Sequence, residues 1–462
     1  MSIIQPPPDT QKAFAAVLSD RDFLNKTNDP EIKKVIQRAN ERYVPWERFQ
    51  YWPLPSGLSP EAAWGYLKLG RFANRKHVPI TNKNGEQFSY WITDSMLKDL
   101  NEIDLWSGGT IMSDRPGELP PKERYVISSL MEEAIASSQL EGAATTRQVA
   151  KEMLRSGRKP VDANEQMILN NWRTMQYIRD NRGMKLTPEN LMEIHFLVTD
   201  KTIEPKESGR LRMRDDIIVS YNNERVHVPP LAETLPQRVE TLCHFANTNE
   251  DEQWIHPVIK GAIIHFALAY DHPFTDGNGR TARALMYWYL LSKKYLLFEY
   301  LAVSRYFLRA PGQYARAYLY TETDDGDLNY FLQYNLKAVR LALMDLRMYL
   351  RVKQREISRS NELLRNYRGL NTRQKNLIYH AIRHPDEMYT IEAHKNYHGI
   401  VYQTARTDLL QLVTKGFLKK QKQGKEFVFP PCEGMIEKLR VKEARESKAL
   451  GNPMQPRLPD II

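Results

Sequence analysis

Most of the chemistry legible in this chain sits in one run: His272-Pro273-Phe274-Thr275-Asp276-Gly277-Asn278-Gly279-Arg280-Thr281-Ala282-Arg283. The imidazole titrates near neutrality and can serve as a general base. Asp276 is a hard oxygen ligand, suited to sharing Mg²⁺ with phosphates. Gly277 and Gly279 open backbone conformations barred to other residues, so successive amides can point at one anion. Arg280 and Arg283 can grip phosphate oxygens in a fork. Singly, each has a plain structural reading: a histidine at a helix end, a Gly-Asn-Gly turn, two arginines covering a helix. Together they suit one task, holding a polyphosphate and its metal while a base prepares a nucleophile; a connecting loop needs no such set.

Helices must position this run. Val258, Ile259, Ala262, Ile263, Phe266, Ala267 and Tyr270 recur at helical spacing over residues 257–270. A second buried helix reads from Thr281 onward, through Ala282, Leu285, Met286, Tyr289 and Leu290. The run is therefore a loop that ends at a helix N-terminus, where the dipole attracts anions. Residues 125–140 predict another helix, with Val126, Leu130, Met131, Ala134 and Ile135 apolar; it closes on Ser137-Ser138-Gln139-Leu140-Glu141-Gly142. Ser137 and Glu141 are four apart and share a face. Alone, Glu141 reads as a solvated helix-end charge and Gly142 as an ordinary cap. Residues 216–220 and 225–228 predict two strands joined at Asn222-Asn223 and ended by Pro229-Pro230.

The run 272–283 resembles the signature of the Fic family, His-Pro-Phe-x-Asp/Glu-Gly-Asn-Gly-Arg-x-x-Arg, and matches it at every defined position. The resemblance covers about residues 50–340 and is weaker outside the motif. It implies a mainly α-helical Fic-type core with a β-hairpin flap, and transfer of AMP from ATP to a Ser, Thr or Tyr hydroxyl of a target protein. His272 would be the base and Asp276 the Mg²⁺ ligand. Gly277, Asn278 and Gly279 would cradle the α- and β-phosphates with Arg280 assisting, Arg283 would meet the γ-phosphate, and Phe274 would be a buried plug.

The segment 137–142 resembles the inhibitory motif Ser/Thr-x-x-x-Glu-Gly/Asn of the class whose inhibitory helix precedes the core. It implies that Ser137, Glu141 and Gly142 set a carboxylate against Arg283, in space a γ-phosphate needs. The hairpin resembles the flap that takes an extended target segment by strand addition. Val226, His227 and Val228 would line its adenine-side entrance, although an exposed hairpin histidine is the commoner case. Residues 321–327 would begin a helix bordering the base. Two other readings stay open: a transcriptional regulator whose pocket senses a nucleotide, and a variant enzyme that uses another nucleotide or phosphate donor or removes AMP with Glu141 aligning water.

The 462 residues are 42% hydrophobic and 26% charged, enough for two or three domains with a core. No apolar run reaches membrane length and no signal peptide is visible at the N-terminus. Only Cys243 and Cys432 occur, which argues against disulfide or zinc scaffolding and fits a reducing cytoplasm. A net charge of +10 favours acidic partners without naming one. The expected organisation is an N-terminal helical arm (1–121), the catalytic core (122–345), a helical connector (346–370), a separate module (371–431) and a tail (432–462). In the arm, helices read at 10–24 and 29–43, and Trp46, Tyr51, Trp52, Pro53 and Leu54 dock it onto the core; residues 107–121 read as a loop.

Residues 372–383 predict a helix, 388–391 a strand, and two helices follow, the second lying between Gly399 and Gly416. A hairpin around 421–426 completes an α+β winged-helix order. Tyr402, Gln403 and Arg406 would then face a DNA groove, and Lys419, Lys420, Lys422 and Lys425 the phosphates. A module that binds protein or makes a homodimer is the alternative.

Overall fold

Local capping chemistry sets where the helices begin. Asp9 accepts from the Lys12 amide and starts α1 (Thr10–Leu18), and α2 (Phe23–Asn28) follows. The expected single helix over 10–24 is therefore two. Asp29-Pro30 opens α3 (Pro30–Glu41), and α4 (Trp46–Phe49) leads to Ser59-Pro60, which opens α5 (Pro60–Asn74). In both dipeptides the cap accepts orphan amides, and the proline costs nothing because its missing N–H would have been unpaired. The structure, a computed structural model, describes all residues except 1–3, 20–21, 108–121, 222–223, 249–253, 368, 424–425, 436 and 440–462. The 107–121 loop apart from Ser107, the Asn222-Asn223 turn, Lys425 and the end of the tail fall outside the described residues.

The N-terminal segment is not wholly helical. β1 (Lys76–Thr81) and β2 (Gln87–Tyr90) pair antiparallel before α6 (Asp94–Ser107). Asn82 Oδ1 accepts from the amides of Asn84 and Glu86, and Gly85 takes φ +86°, which closes the turn. Trp46 is buried, and Trp52 and Leu54 pack beside it around Trp64 and Leu67. Tyr51 does not dock: it is 78% exposed.

Next come α7 (Lys122–Leu140), α8 (Arg147–Ser156), α9 (Ala163–Asp180) and α10 (Pro188–Thr199). The first flap strand is shorter than expected, β3 (Val219–Tyr221), and the second, β4 (Glu224–His227), is shifted by one residue. After α11 (Leu235–Asn247), the cap-proline pair His256-Pro257 opens α12 (Pro257–Asp271), and α13 (Asn278–Ser292) follows the loop. Both α12 and α13 are apolar nearly all round, so each is enclosed by other elements, and they pack on each other. Gly261 allows that approach, since a Cβ there would stand 3.3 Å from Leu290.

α14 (Ser304–Arg309), α15 (Pro311–Thr323) and α16 (Asn329–Asn366) complete the first compact unit, which ends near Asp345. Residues 321–327 do not begin a base-bordering helix; they end α15 and turn into α16. Their acids face the N-terminal helices. Lys68 pairs with Asp324 at 2.7 Å, Tyr43 donates to Asp327 at 2.5 Å, and Arg71 donates to Tyr330 at 2.7 Å. Buried charges paired this fully fix a unique docking more than they add stability.

The second unit takes in residues 122–125 and the described residues from 346 onward. Its order is α17 (Thr372–Arg383), β5 (Tyr389–Thr390), α18 (Ile391–His398), α19 (Tyr402–Thr414), β6 (Gln421–Gln423) and β7 (Glu426–Phe429), with sheet order β5-β7-β6. Leu377, Ile378, Ala381, Ala405, Leu409 and Leu412 form its core with Phe417 and Phe429. Met435 and Leu439, expected in the 432–462 tail outside the module, are buried in the same core. Asp408 braces the module from within: Asn371 and Arg373 each donate to it at 2.7 Å, which holds its carboxyl below the usual range despite burial.

Candidate active site

α12 stops at His272 because that residue adopts φ +44°, ψ +56°, a left-handed conformation costly for a branched or bulky side chain. The strain is held by contacts on every side. Arg212 donates from Nε to the His272 carbonyl at 2.9 Å, and its backbone N–H donates to the Pro273 carbonyl at 2.9 Å. Its remaining nitrogens reach the carbonyls of Arg214 and Pro230, so one buried guanidinium staples the base of the flap to the loop.

Phe274 is fully buried, as a plug would be, and stacks on His195 with centroids 3.7 Å apart. His195 Nδ1 accepts from the Gly209 amide at 3.0 Å, so its proton sits on Nε2, which donates to the Asp276 carbonyl at 2.8 Å. Neither Arg212 nor His195 was singled out by the sequence, and neither has a local signal.

Asn278 departs from expectation. Its side chain accepts from the Phe274 amide at 3.0 Å and donates to the Phe274 carbonyl at 2.8 Å. Its oxygen and one of its two N–H donors are engaged in bracing the loop, so the side chain is held to Phe274. Gly277, at φ +80°, is the N-cap of α13 and offers no side chain to satisfy the first amides of that helix. A Cβ on Gly277 would strike Thr199 at 2.7 Å, so glycine is required there twice over.

Arg280 is wholly buried, donates to the Val198 carbonyl at 3.1 Å and lies 3.3 Å from Asp276 Oδ2. Burial lowers its pKa, and its Nε has no partner. Asp276 is exposed and its Oδ1 accepts from the Gly277 amide at 2.6 Å. Among the described residues no group of three or more His, Cys, Asp or Glu side chains is placed to hold a metal.

The decisive arrangement is at Arg283. Its Nε donates to Ser137 Oγ at 2.8 Å and one terminal nitrogen to the Ser137 carbonyl at 2.9 Å. Glu141 Oε1 lies 2.9 Å from the same guanidinium. Burial alone opposes a charge there, yet the Glu141 carboxylate holds Arg283 more firmly protonated than usual. The carboxylate also covers the start of α13: a Cβ on Gly279 would stand 2.1 Å from Glu141 Oε1. An anion thus already sits at the amide cradle, and its charge acts on His272, Arg280 and Arg283 alike. Gly142, at φ +96°, supplies the turn that sends Glu141 inward.

His272 is half-buried, and burial brings its pKa down to about 4, so it is neutral at pH 7. Nδ1 faces the Ala269 carbonyl at 3.3 Å, an acceptor, which assigns the proton to Nδ1 and leaves Nε2 as the basic nitrogen. His227 is not a surface residue. It is buried, with Nδ1 2.7 Å from Glu322 and Nε2 2.7 Å from the Tyr270 carbonyl, so it anchors the flap, and Val226 and Val228 beside it are half-buried.

One consequence concerns pH. His265 is fully buried, donates toward or accepts from Tyr314 at 2.8 Å, and burial brings its pKa to about 3. The folded protein leaves it neutral while the unfolded chain protonates it below about 6.5. Its contribution to stability is whole above that value and drains away as pH falls toward 3. Between about pH 7 and 5 the wild type should lose ~2 kcal/mol more than His265→Phe, read from urea midpoints. Equal losses in the two proteins would contradict this.

Residues 185–290 match the Fic/DOC family, an interval running from just before α10 into α13. The chain carries a Fic domain. Among curated relatives, the protein adenylyltransferase Fic of Nematostella vectensis is 30% identical over 178 residues, 37% of this chain and 39% of the relative. That of Drosophila virilis is 34% identical over 145 residues, 31% of this chain and 28% of the relative. The chain thus spans well under half the length of these relatives. The crystal structure of a Fic family protein from Desulfovibrio desulfuricans G20 shares the fold: TM-score 0.52, 18% identity, covering 75% of this chain and 98% of that one.

Proposed function

We propose that this protein transfers AMP from ATP, carried with Mg²⁺, to a hydroxyl of a target protein, and that Glu141 restrains the transfer. The observation that carries the reading is the Glu141 carboxylate, held on Arg283 and over Gly279 where a triphosphate would lie. With Glu141 withdrawn, Arg283 and the first amides of α13 are free to take phosphate oxygens. The target oxygen attacks the α-phosphorus, its proton passes to His272 Nε2, and the bond to the β-phosphate oxygen breaks to release pyrophosphate. Asp276 would share the Mg²⁺ that neutralises charge building on the leaving group. The curated relatives named as protein adenylyltransferases support the same reaction. Incubation with α-labelled ATP, Mg²⁺ and cell lysate tests it: label should appear on protein, and a His272 variant should give none.

The target would present its hydroxyl on an extended segment paired to the flap strands β3 and β4. Two free cysteines, Cys243 and Cys432, fit a cytoplasmic setting. No helix among the described residues is long and apolar enough to cross a membrane.

Exposure in the second unit favours DNA as a further partner. Tyr402, Gln403 and Arg406 are exposed at the start of α19, and Lys419 and Lys422 are exposed near the hairpin. Lys420 instead lies over the Phe427 ring at 4.0 Å. Duplex binding through these cations should weaken steeply with added salt. Absence of any mobility shift at low salt would remove DNA as a partner.

A further inference from the structure

The helix that leads into Glu141, α7, has a second face. Glu132, Ile135, Ala136 and Gln139 recur along α7 on one side and form the wall of a cleft of about 240 Å³. Its other walls are Arg147 of α8 and Arg305, Leu308 and Arg309 of α14. Three guanidiniums thus face one carboxylate. That carboxylate is already taken: Arg147 holds Glu132 through two nitrogens, one at 2.7 Å, and Lys151 pairs with it as well. Arg305 and Arg309 make no ion pair with any described residue. Arg309 is held in place over the Tyr306 ring at 4.8 Å. Arg305 and Arg309, two planar forks beside a concave space with no carboxylate paired to them among the described residues, are suited to a phosphate group.

We propose that this cleft binds a small phosphate-bearing anion and that its occupation tightens the grip of Glu141 on Arg283. The first half stands on the cleft alone; the second rests on the reading of Glu141 as a restraint. The sign follows from linkage. The cleft exists only while α7 is docked, because α7 supplies one wall. An anion taken by Arg305 and Arg309 in the space between α14 and α7 ties the two helices together and relieves the repulsion between the two unpaired guanidiniums. A ligand that prefers the docked state must favour it, and must disfavour ATP seated against Arg283 by the same factor. The opposite side of α7 shows what is being held. Glu133 accepts from Tyr287 and from the Ser304 amide, each at 2.9 Å, and Asn171 donates to the Ala134 carbonyl at 3.1 Å.

Inorganic tripolyphosphate is the probe, titrated calorimetrically into the full chain without Mg²⁺. In the wild type Glu141 blocks the catalytic seat, so binding reports the cleft. The expected result is saturable binding that weakens at least ~10-fold in Arg305→Gln/Arg309→Gln, whose thermal melting should match wild type, because the variant loses two charge-assisted fork contacts. Equal binding by the two proteins, or none by wild type up to millimolar concentration, overturns the site. Hydrogen exchange over residues 130–141 reads the coupling: bound tripolyphosphate should slow it in wild type only. Binding without slower exchange overturns the regulatory half. Neither measurement depends on AMP transfer, so failure here and failure of the catalytic reading are separable.

Discussion

Replacing Glu141 with glycine should raise AMP transfer by about 10²-fold, since a phosphoryl centre held out of line loses orders of magnitude in rate. Glu141 lies just past the end of α7, so the substitution spares the helix itself. It removes the carboxylate ion-paired with Arg283 and uncovers Gly279. The same change should lower the melting temperature. Arg283 is 1% exposed and would keep Ser137 while losing its counter-charge, and a buried charge stripped of its partner is destabilising. Added ATP and Mg²⁺ should recover part of that loss in the variant and little in wild type, because a γ-phosphate would take the vacated place. Glu141→Gln, which keeps shape and removes charge, should fall between the two. A Glu141→Gly protein no faster than wild type would show that the pair is structural.

Loss of His272 should abolish the gain. In the Glu141→Gly background, His272→Asn should reduce transfer by about 10²–10⁴-fold, the range of a positioned base. Asparagine is the better probe than alanine: the residue sits at φ +44°, which asparagine tolerates and alanine meets at a cost of ~1–2 kcal/mol. A melting temperature within a degree or so of the parent would then assign the loss to chemistry. The acid limb of kcat/KM adds a second signature. Burial sets the His272 pKa to about 4 in the free protein, so kcat/KM should stay flat from neutrality down to about pH 5. An inflection near 6.5, or transfer that survives in His272→Asn, would remove the imidazole from the reaction.

The parts of this site that local sequence can report were legible. Periodicity in α12 and α13 placed the loop between two enclosed helices, and the glycines marked where the backbone must turn and approach. The spacing of Ser137 and Glu141 put both on the face that meets Arg283. What stayed hidden was set by contacts far apart in the chain. His195 reaches Asp276 across 81 residues and Arg212 reaches His272 across 60, and neither carries a mark of its own. Asn278 looked like a phosphate ligand because its residue type allows that role. Which amide in a loop is free depends on whether the loop needs it, and here Phe274 takes both ends. His227 reads as exposed in any hairpin until Glu322 and Tyr270 are seen above it. The β1–β2 hairpin did have a local signal, Asn84-Gly85 between two alternating runs, which an otherwise helical N-terminal stretch obscured.

A triphosphate should enter where Glu141 now lies, with its α-phosphorus, not its γ-phosphorus, offered to the incoming oxygen. Parallel incubations of Glu141→Gly with α-labelled and with γ-labelled ATP test it most directly. Label should pass to protein from the α-position only, with pyrophosphate released in equal amount. Transfer from the γ-position, or from neither, would contradict the account.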